Sequence, residues 1–249
     1  MPESAQGKKP VAESKRFFIK STKQGLIGDL VLRDHEHNHL ANVLRLKTGD
    51  NITAVCGDEF DYHYQITKIT KQITELKYID RKINQSNPQK KLTVYMGLIK
   101  FDNLAISVQK LNEIGAHEVV FFNSKNCQNL PVKIDKLQTI AEQSCKQCGR
   151  SIPVIVRGIL NFEQLLTQIP SNAIFADERE IVTSLDDVSI SKIENNATII
   201  VGCEGGFTEP ERAKLAKVTK PVSLGRRILR AETAVILTAS IVLAKLGEI

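Results

Sequence analysis

Residues 197–211, ATIIVGCEGGFTEPE, compress a buried strand, a glycine turn and a helix start into one short segment. Ala197 to Val201 is an apolar, β-branched run of strand length. It ends on Gly202, and Gly205 and Gly206 follow within five residues. Thr208 with Glu211 has the spacing of a capping box, which opens the next helix. A strand apolar on both faces that turns directly into a helix is the repeating unit of a parallel sheet covered on both sides.

Working outward, the same alternation recurs from Leu92 to the end of the chain. Leu92–Ile99, Glu118–Phe122, Pro153–Val156, Ala173–Ala176 and Pro221–Leu224 read as further strands. Phe101, Leu104, Ala105, Val108 and Leu111 share one helix face that Gly115 closes. Leu137, Ile140, Ala141, Cys145 and Cys148 mark a second, closed by Gly149. Before Leu92 the pattern differs. Phe17–Ile19, Ile52–Cys56, Tyr62–Ile69 and Ile73–Ile79 are strand-like, and Leu40, Val43 and Leu44 predict a short helix ending at Gly49. Asn84–Lys91 (NQSNPQKK) reads as a linker. The organisation expected is a disordered tail over 1–14, a small β-rich domain over 15–85 and an α/β domain over 90–249. No internal repeat interrupts it.

Composition narrows the function. The 249 residues are 42% hydrophobic and 25% charged, ordinary for a globular protein with a real core. Net charge is +6, which suits a polyanionic partner. The charge is concentrated. Arg212, Lys214, Lys217, Lys220, Arg226, Arg227 and Arg230 stand against Glu209 and Glu211 between positions 209 and 230. With no Trp and 5% aromatics, base stacking on aromatic platforms is not expected. Five scattered cysteines make no disulfide framework. The longest apolar stretch, Thr233–Leu246, is too short for the ~20 residues of a membrane span. A cytoplasmic protein with reduced thiols is expected.

Ligands of open α/β sheets sit outside the carboxyl ends of the strands, so the residues after each strand are the candidates. Gly202, Gly205 and Gly206 allow close backbone approach, and Glu204 puts a carboxylate there. Neither G-x-G-x-x-G nor a P-loop is present, and a carboxylate repels phosphate, so a cationic ligand such as a sulfonium or an amine fits better. The second candidate segment is VSLGRRILRAETAVILTASIVL, residues 222–243. There a strand ends at Leu224-Gly225, three arginines crowd the loop, and Ala231 opens a helix that is apolar almost all round. Such a helix is buried within the domain or across a subunit interface.

The two segments together resemble the cofactor motifs of the SPOUT methyltransferase superfamily, within it the ribosomal RNA small subunit methyltransferase E family. That family pairs I-G-P-E-G-G with a later L-G-x-R-I-L-R-x-E-T-A, here Val201–Gly206 and Leu224–Ala234. The likeness extends to Arg16-Phe17-Phe18, to His39-Leu40 with Val43-Leu44-Arg45, to Gln109-Lys110 through Glu113-Ile114-Gly115, and to Gln147-Cys148-Gly149-Arg150. Three positions depart from it: Cys203 replaces a proline, Asn126 an arginine and Asn112 a small residue. The resemblance implies a PUA-like N-terminal β-barrel, a C-terminal α/β domain tied in a trefoil knot, a homodimer, and methylation of uridine N3 in 16S ribosomal RNA, free or within the small ribosomal subunit.

On that basis S-adenosyl-L-methionine is expected against Gly202, Glu204, Gly205, Gly206, Leu224, Gly225, Ile228, Leu229 and Arg230. Arg230 and Arg16 are expected to stabilise charge developing on the base, with water or a nearby carboxylate such as Glu232 as proton acceptor. Arg16, Arg45, Lys47, Arg150 and Arg226 are expected to hold RNA. No metal is expected, because a sulfonium is already activated for methyl transfer. Cys145-x-x-Cys148 lies inside a helix with no second pair, and His35, His37 and His39 read as residues of a helix that Asp34 caps, so neither is taken as a metal site. Tyr62 and Tyr64 read as packing residues. Two other functions remain open: a ribose 2′-O methyltransferase, disfavoured by the absence of arginine from Asp102–Gly115 and of asparagine from the last loop, and a non-catalytic RNA-binding protein.

Overall fold

The structure, a computed structural model, describes residues 15–20, 25–128, 131–188, 190 and 195–249. The tail expected over 1–14 lies outside them. The chain divides into two compact units, Met1–Gln85 and Ser86–Ile249.

In the first unit β1 (Lys15–Phe18), β2 (Leu30–Arg33), β3 (Asn51–Val55), β4 (Phe60–Ile69) and β5 (Ile73–Ile83) form one sheet in the order β1-β3-β4-β5-β2. β1 pairs with β3 in parallel and the other pairs are antiparallel. Phe17, Ile52, Tyr62, Tyr64, Ile66 and Leu76 fill its core. The two tyrosines are fully buried, and each hydroxyl finds an acceptor, Tyr62 in Asp58 (2.6 Å) and Tyr64 in the Leu26 carbonyl. Both therefore pack the sheet rather than stack on bases.

The short helix of this unit starts earlier and ends sooner than its apolar spacing suggests. α1 covers Asp34–Asn38 and continues as one π turn, His39–Val43. Arg45, at φ 54°, ends it before Gly49. Gly49 instead belongs to the turn into β3, where its N–H donates to the Ile66 carbonyl of β4 at 2.8 Å. Asp34 is the first helical residue, not the cap; the extended residue before it is Arg33. β2 escapes a periodicity reading because it has only four residues and alternates within a polar loop.

The second unit holds a six-stranded, wholly parallel sheet, β11-β9-β10-β6-β7-β8. Its strands are β6 (Lys91–Gly97), β7 (Glu118–Asn123), β8 (Ile155–Asn161), β9 (Ile174–Ala176), β10 (Asn196–Val201) and β11 (Lys220–Val222). Helices α2 (Phe101–Ile114), α3 (Ile134–Cys148) and α6 (Ala231–Leu246) cover one face over Val94, Met96, Phe121 and Ile199. Helices α4 (Phe162–Gln168) and α5 (Glu209–Val218) cover the other over Tyr95, Phe122, Phe175 and Ile200. Neighbouring residues of one strand thus feed opposite cores, which is why these strands read as continuous apolar runs.

β8 runs later than expected, from Ile155 to Asn161 instead of Pro153 to Val156. It is an edge strand, so it alternates buried and exposed residues and lacks an apolar run. α4 begins on a capping box in which Asn161 and Gln164 exchange hydrogen bonds at 2.9 Å.

Candidate active site

β9, β10 and β11 are adjacent and in register, with Ala176 opposite both Val201 and Val222. Their carboxyl ends therefore open at one level, and the three segments that follow line a single cavity of about 480 Å³. Ala176–Glu178 comes from β9, Val201–Phe207 from β10 and Leu224–Ala231 from the segment after β11, with Ala234 of α6 completing the lining. The glycine turn and the arginine loop, separated in sequence, share this wall. Gly202, Glu204, Gly205, Gly206, Leu224, Gly225, Ile228, Leu229 and Arg230 all border it.

The turn is held from several sides. Glu211 accepts from the Thr208 amide (2.9 Å) and hydroxyl (2.8 Å), and through its other oxygen from the Lys125 amide (2.8 Å). One buried carboxylate thus starts α5 and fixes the loop after β7. Asn126, where the resembling family carries arginine, donates its side-chain amide to the Gly205 carbonyl at 2.9 Å. Gly97, at the end of β6, has its Cα face against this turn: a Cβ there would stand 2.5 Å from the Cys203 amide nitrogen.

Glu178 was not singled out by sequence, because nothing in Asp177-Glu178-Arg179-Glu180 distinguishes one acid from its neighbours. The structure separates them. Asp177 is buried and takes the Arg212 guanidinium at 2.6 and 2.9 Å, which holds the Arg212 pKa up. Arg179 pairs with Glu209 at 2.8 Å. Glu178 has no such partner among the described residues and lies against Gly206, whose Cβ would meet its Oε1 at 2.7 Å. With Gly206 at φ +61°, that position suits glycine twice over. Glu178 and Glu204 give the cavity two carboxylates beside Asp177, which Arg212 neutralises.

The arginines distribute unevenly. Arg226 and Arg227 are exposed, with no ion partner among the described residues. Arg230 is 85% exposed at the N-terminus of α6, with Nη1 4.0 Å from Glu232 Oε1. Glu232 is mostly covered, and its Oε2 is buried with no hydrogen-bond partner among the described residues. Arg45 and Lys47 are exposed in the first unit.

Two of the expected site residues are placed otherwise. Arg150 is buried and donates to the carbonyls of Asn112 (2.8 Å) and Ala116 (3.0 Å), so it ties down the end of α2 and is not available to RNA. Arg16 makes a two-pronged pair with Asp61 at 2.6 and 3.0 Å, and Asn84 also donates to that carboxylate. Its guanidinium is committed within its own sheet. Both arginines look like ligand residues in sequence because their partners, backbone carbonyls and a distant aspartate, leave no local signal.

Among the described residues no group of three or more His, Cys, Asp or Glu could hold a metal ion, and no helix is long and apolar enough to cross a membrane. Both sulfurs of Cys145 and Cys148 accept from the Asn112 side chain.

A parallel sheet whose strand ends form a glycine-and-arginine cavity, on a chain that also carries a small β domain, defines a class. Residues 85–243 match the RNA methyltransferase domain and residues 32–77 the RNA methyltransferase PUA domain. A ribosomal RNA small subunit methyltransferase E of Rickettsia conorii is 31% identical over 206 residues, 82% of this chain and 84% of that one. Its namesake in Bacillus subtilis is 28% identical, over 88% of this chain and 92% of its own. The same-named enzyme of Neisseria gonorrhoeae, solved bound to S-adenosyl methionine, superposes with a TM-score of 0.81 at 24% identity, over 93% of this chain and 98% of that one. The chain belongs to the ribosomal RNA small subunit methyltransferase E family.

Proposed function

We propose that this protein transfers the methyl group of S-adenosyl-L-methionine to N3 of a uridine in 16S ribosomal RNA, free or within the small ribosomal subunit. The observation that carries the reading is the single cavity shared by the 201–207 turn and the 224–231 loop. Its volume of about 480 Å³ falls within the range of roughly 300–1,000 Å³ typical of small-molecule sites. Its wall also fits the cofactor chemically. Backbone of the glycine turn can meet adenine and ribose, and Glu178 and Glu204 offset positive charge. The cofactor, when bound, supplies a methyl group already activated by its sulfonium.

The chain's own residues then have to make N3 nucleophilic. As the imino proton leaves, negative charge spreads onto O2 and O4, and a fixed cation placed there lowers the barrier. Arg230 lines the cavity, and a guanidinium is a fixed cation and not a base, so it stabilises that charge and does not take the proton. Glu232, two residues on, with a carboxylate oxygen that bonds no described residue, is the proton acceptor in this reading. Arg45, Lys47 and Arg226 grip phosphates. Arg16 contributes only if a phosphate displaces Asp61 from it.

We further read the protein as a cytoplasmic homodimer, its C-terminal segment threaded as a trefoil knot. Leu237 on α6 and Ile106 on α2 are exposed apolar residues on helices that pack together, as a self-association surface requires. Calorimetry with S-adenosyl-L-methionine, followed by nucleoside mass mapping of 16S ribosomal RNA from a deletion strain, tests the assignment. Loss of one base-methylated uridine that the wild-type gene restores and the Arg230→Ala gene does not is the expected result. Loss of a ribose-methylated nucleoside, or no loss at all, would overturn it.

A further inference from the structure

We infer that a second cavity, at the carboxyl ends of β7 and β8, is a binding subsite for the nucleotide that neighbours the target uridine. That role rests on the RNA methyl-transfer reading above, and the cavity is separate from the one assigned there to the cofactor.

The second cavity measures about 650 Å³, within the range that takes a group the size of a nucleotide. Asn123 and Lys125 reach it from the end of β7 and the loop after it, Phe162 from the start of α4, and Glu211 and Lys214 from α5. The sheet sets it beside the first cavity. Val201 of β10 pairs with Met96 of β6, and Phe122 of β7 with Gly97, so β10 and β7 end at nearly one level on either side of β6. Two strand spacings separate them, about 10 Å. The partition is one continuous stretch of chain: Phe207 lines the first cavity, and Thr208, Pro210 and Glu211 line the second. Asn126, bonded to the Gly205 carbonyl, and the Lys125 amide, bonded to Glu211, fasten the β7 loop to that stretch. A strand that delivers a base to the first cavity has its next nucleotide within reach of the second.

The lining suits a nucleotide. Its two carboxylates are already engaged: Glu163 holds Lys214 at 2.6 Å, and Glu211 accepts from Thr208 and from the Lys125 amide. Lys125 is exposed, with no ion partner among the described residues, and so offers an uncompensated cation to a phosphate. The Asn123 side-chain oxygen is buried and bonds no described residue. An unmet acceptor favours a ligand that brings a donor, as the amino and imino groups of bases do. Phe162 packs its ring against Phe207, with centroids 6.4 Å apart, and still borders the cavity. Single-stranded bases stack on such rings. Composition gives no reason to expect an aromatic contact with a base; tertiary structure places this ring for one.

The reaction also calls for such a place. Uridine N3 lies on the base-pairing edge, so the base must leave its stack before the methyl group can reach it. Its neighbour then loses a stacking partner, and a cavity with a ring and a cation replaces what was lost.

The test uses the full-length protein with small ribosomal subunits from a deletion strain. Ultraviolet cross-linking followed by mass mapping should join the peptide containing Phe162 to a nucleotide adjacent to the methylated uridine. Lys125→Ala and Phe162→Leu, the latter keeping an apolar side chain against Phe207, should each raise KM for the subunit about tenfold. In both, kcat and the S-adenosyl-L-methionine Kd should stay within about twofold. Phe162→Tyr, which keeps the ring, should restore KM. An unchanged KM in either variant, a Phe162→Tyr KM as poor as that of Phe162→Leu, or absence of that cross-link would overturn the assignment. If the wild type methylates no uridine, the methyl-transfer reading fails, while cross-linking still decides whether this cavity holds RNA.

Discussion

Arg230 is the charge-stabilising residue of the proposed mechanism, and its setting predicts a clean separation of effects. Its guanidinium is 85% exposed, and its nearest carboxylate is 4.0 Å away, so removing it disturbs little packing. Arg230→Ala should lower kcat by about 10²–10³-fold, the usual cost of one charge-stabilising group. Its S-adenosyl-L-methionine Kd should stay within about twofold. Cys127 makes a second prediction at this scale. The neighbouring Cys203 thiol and the Ser124 amide and hydroxyl, 3.3 and 3.2 Å from its sulfur, hold its pKa below the usual thiol range, and protonation on acidification removes its reactivity. Its iodoacetamide alkylation rate in the reduced protein should therefore reach half its maximum at a pH below the ~8.5 of an unperturbed cysteine. Gly97 is the third. With backbone 2.5 Å from any added Cβ, Gly97→Ala must push β6 away from the cofactor turn. We expect a loss of about 1–3 kcal/mol in urea unfolding, together with weakened cofactor binding.

Among the elements, the junction of α2, α3 and β8 explains two residues that sequence alone misassigns or leaves without a reason. Asn112, fully buried, accepts from the Val154 amide at 2.8 Å while donating to both cysteines of α3. Arg150 follows the glycine that ends α3 and returns to the carbonyls at the end of α2. Its burial depresses its own pKa, a sign of a cation whose role is internal. Arg150→Ala should therefore cost about 1.5–3 kcal/mol of stability, the range for hydrogen bonds from a charged group. RNA affinity per folded molecule should be unchanged, as filter binding with protein quantified by its folded fraction would establish.

At the scale of the whole molecule, the exposed cations Arg45, Lys47, Arg226 and Arg227 are carried by both units of the chain. If they bind phosphates, RNA affinity must fall linearly with salt on logarithmic axes. Arg45→Ala or Arg226→Ala should each make that slope shallower by about one and leave cofactor affinity alone. A variant that weakens RNA binding without changing the slope is not losing a phosphate contact.

Much of this architecture was legible in the chain itself. The alternation from Leu92 onward specified a parallel sheet because burial on both faces demands continuous apolar strands, and Gly115 and Gly149 ended helices where left-handed backbone was needed. The turn at 202–206 and the arginine loop at 224–230 were likewise visible, since backbone approach to a ligand requires residue types that local sequence records. Tertiary structure alone decided which groups meet. It set Glu178 against Gly206 with no ion partner among the described residues, committed Arg16 to Asp61 and Arg150 to two carbonyls, and tied Asn126 to the Gly205 carbonyl across the strand ends. The reason is physical: secondary structure follows from short-range periodicity and backbone sterics, whereas the partner of a charge or a thiol is fixed by strand order, which places residues far apart in sequence at the same level of one sheet.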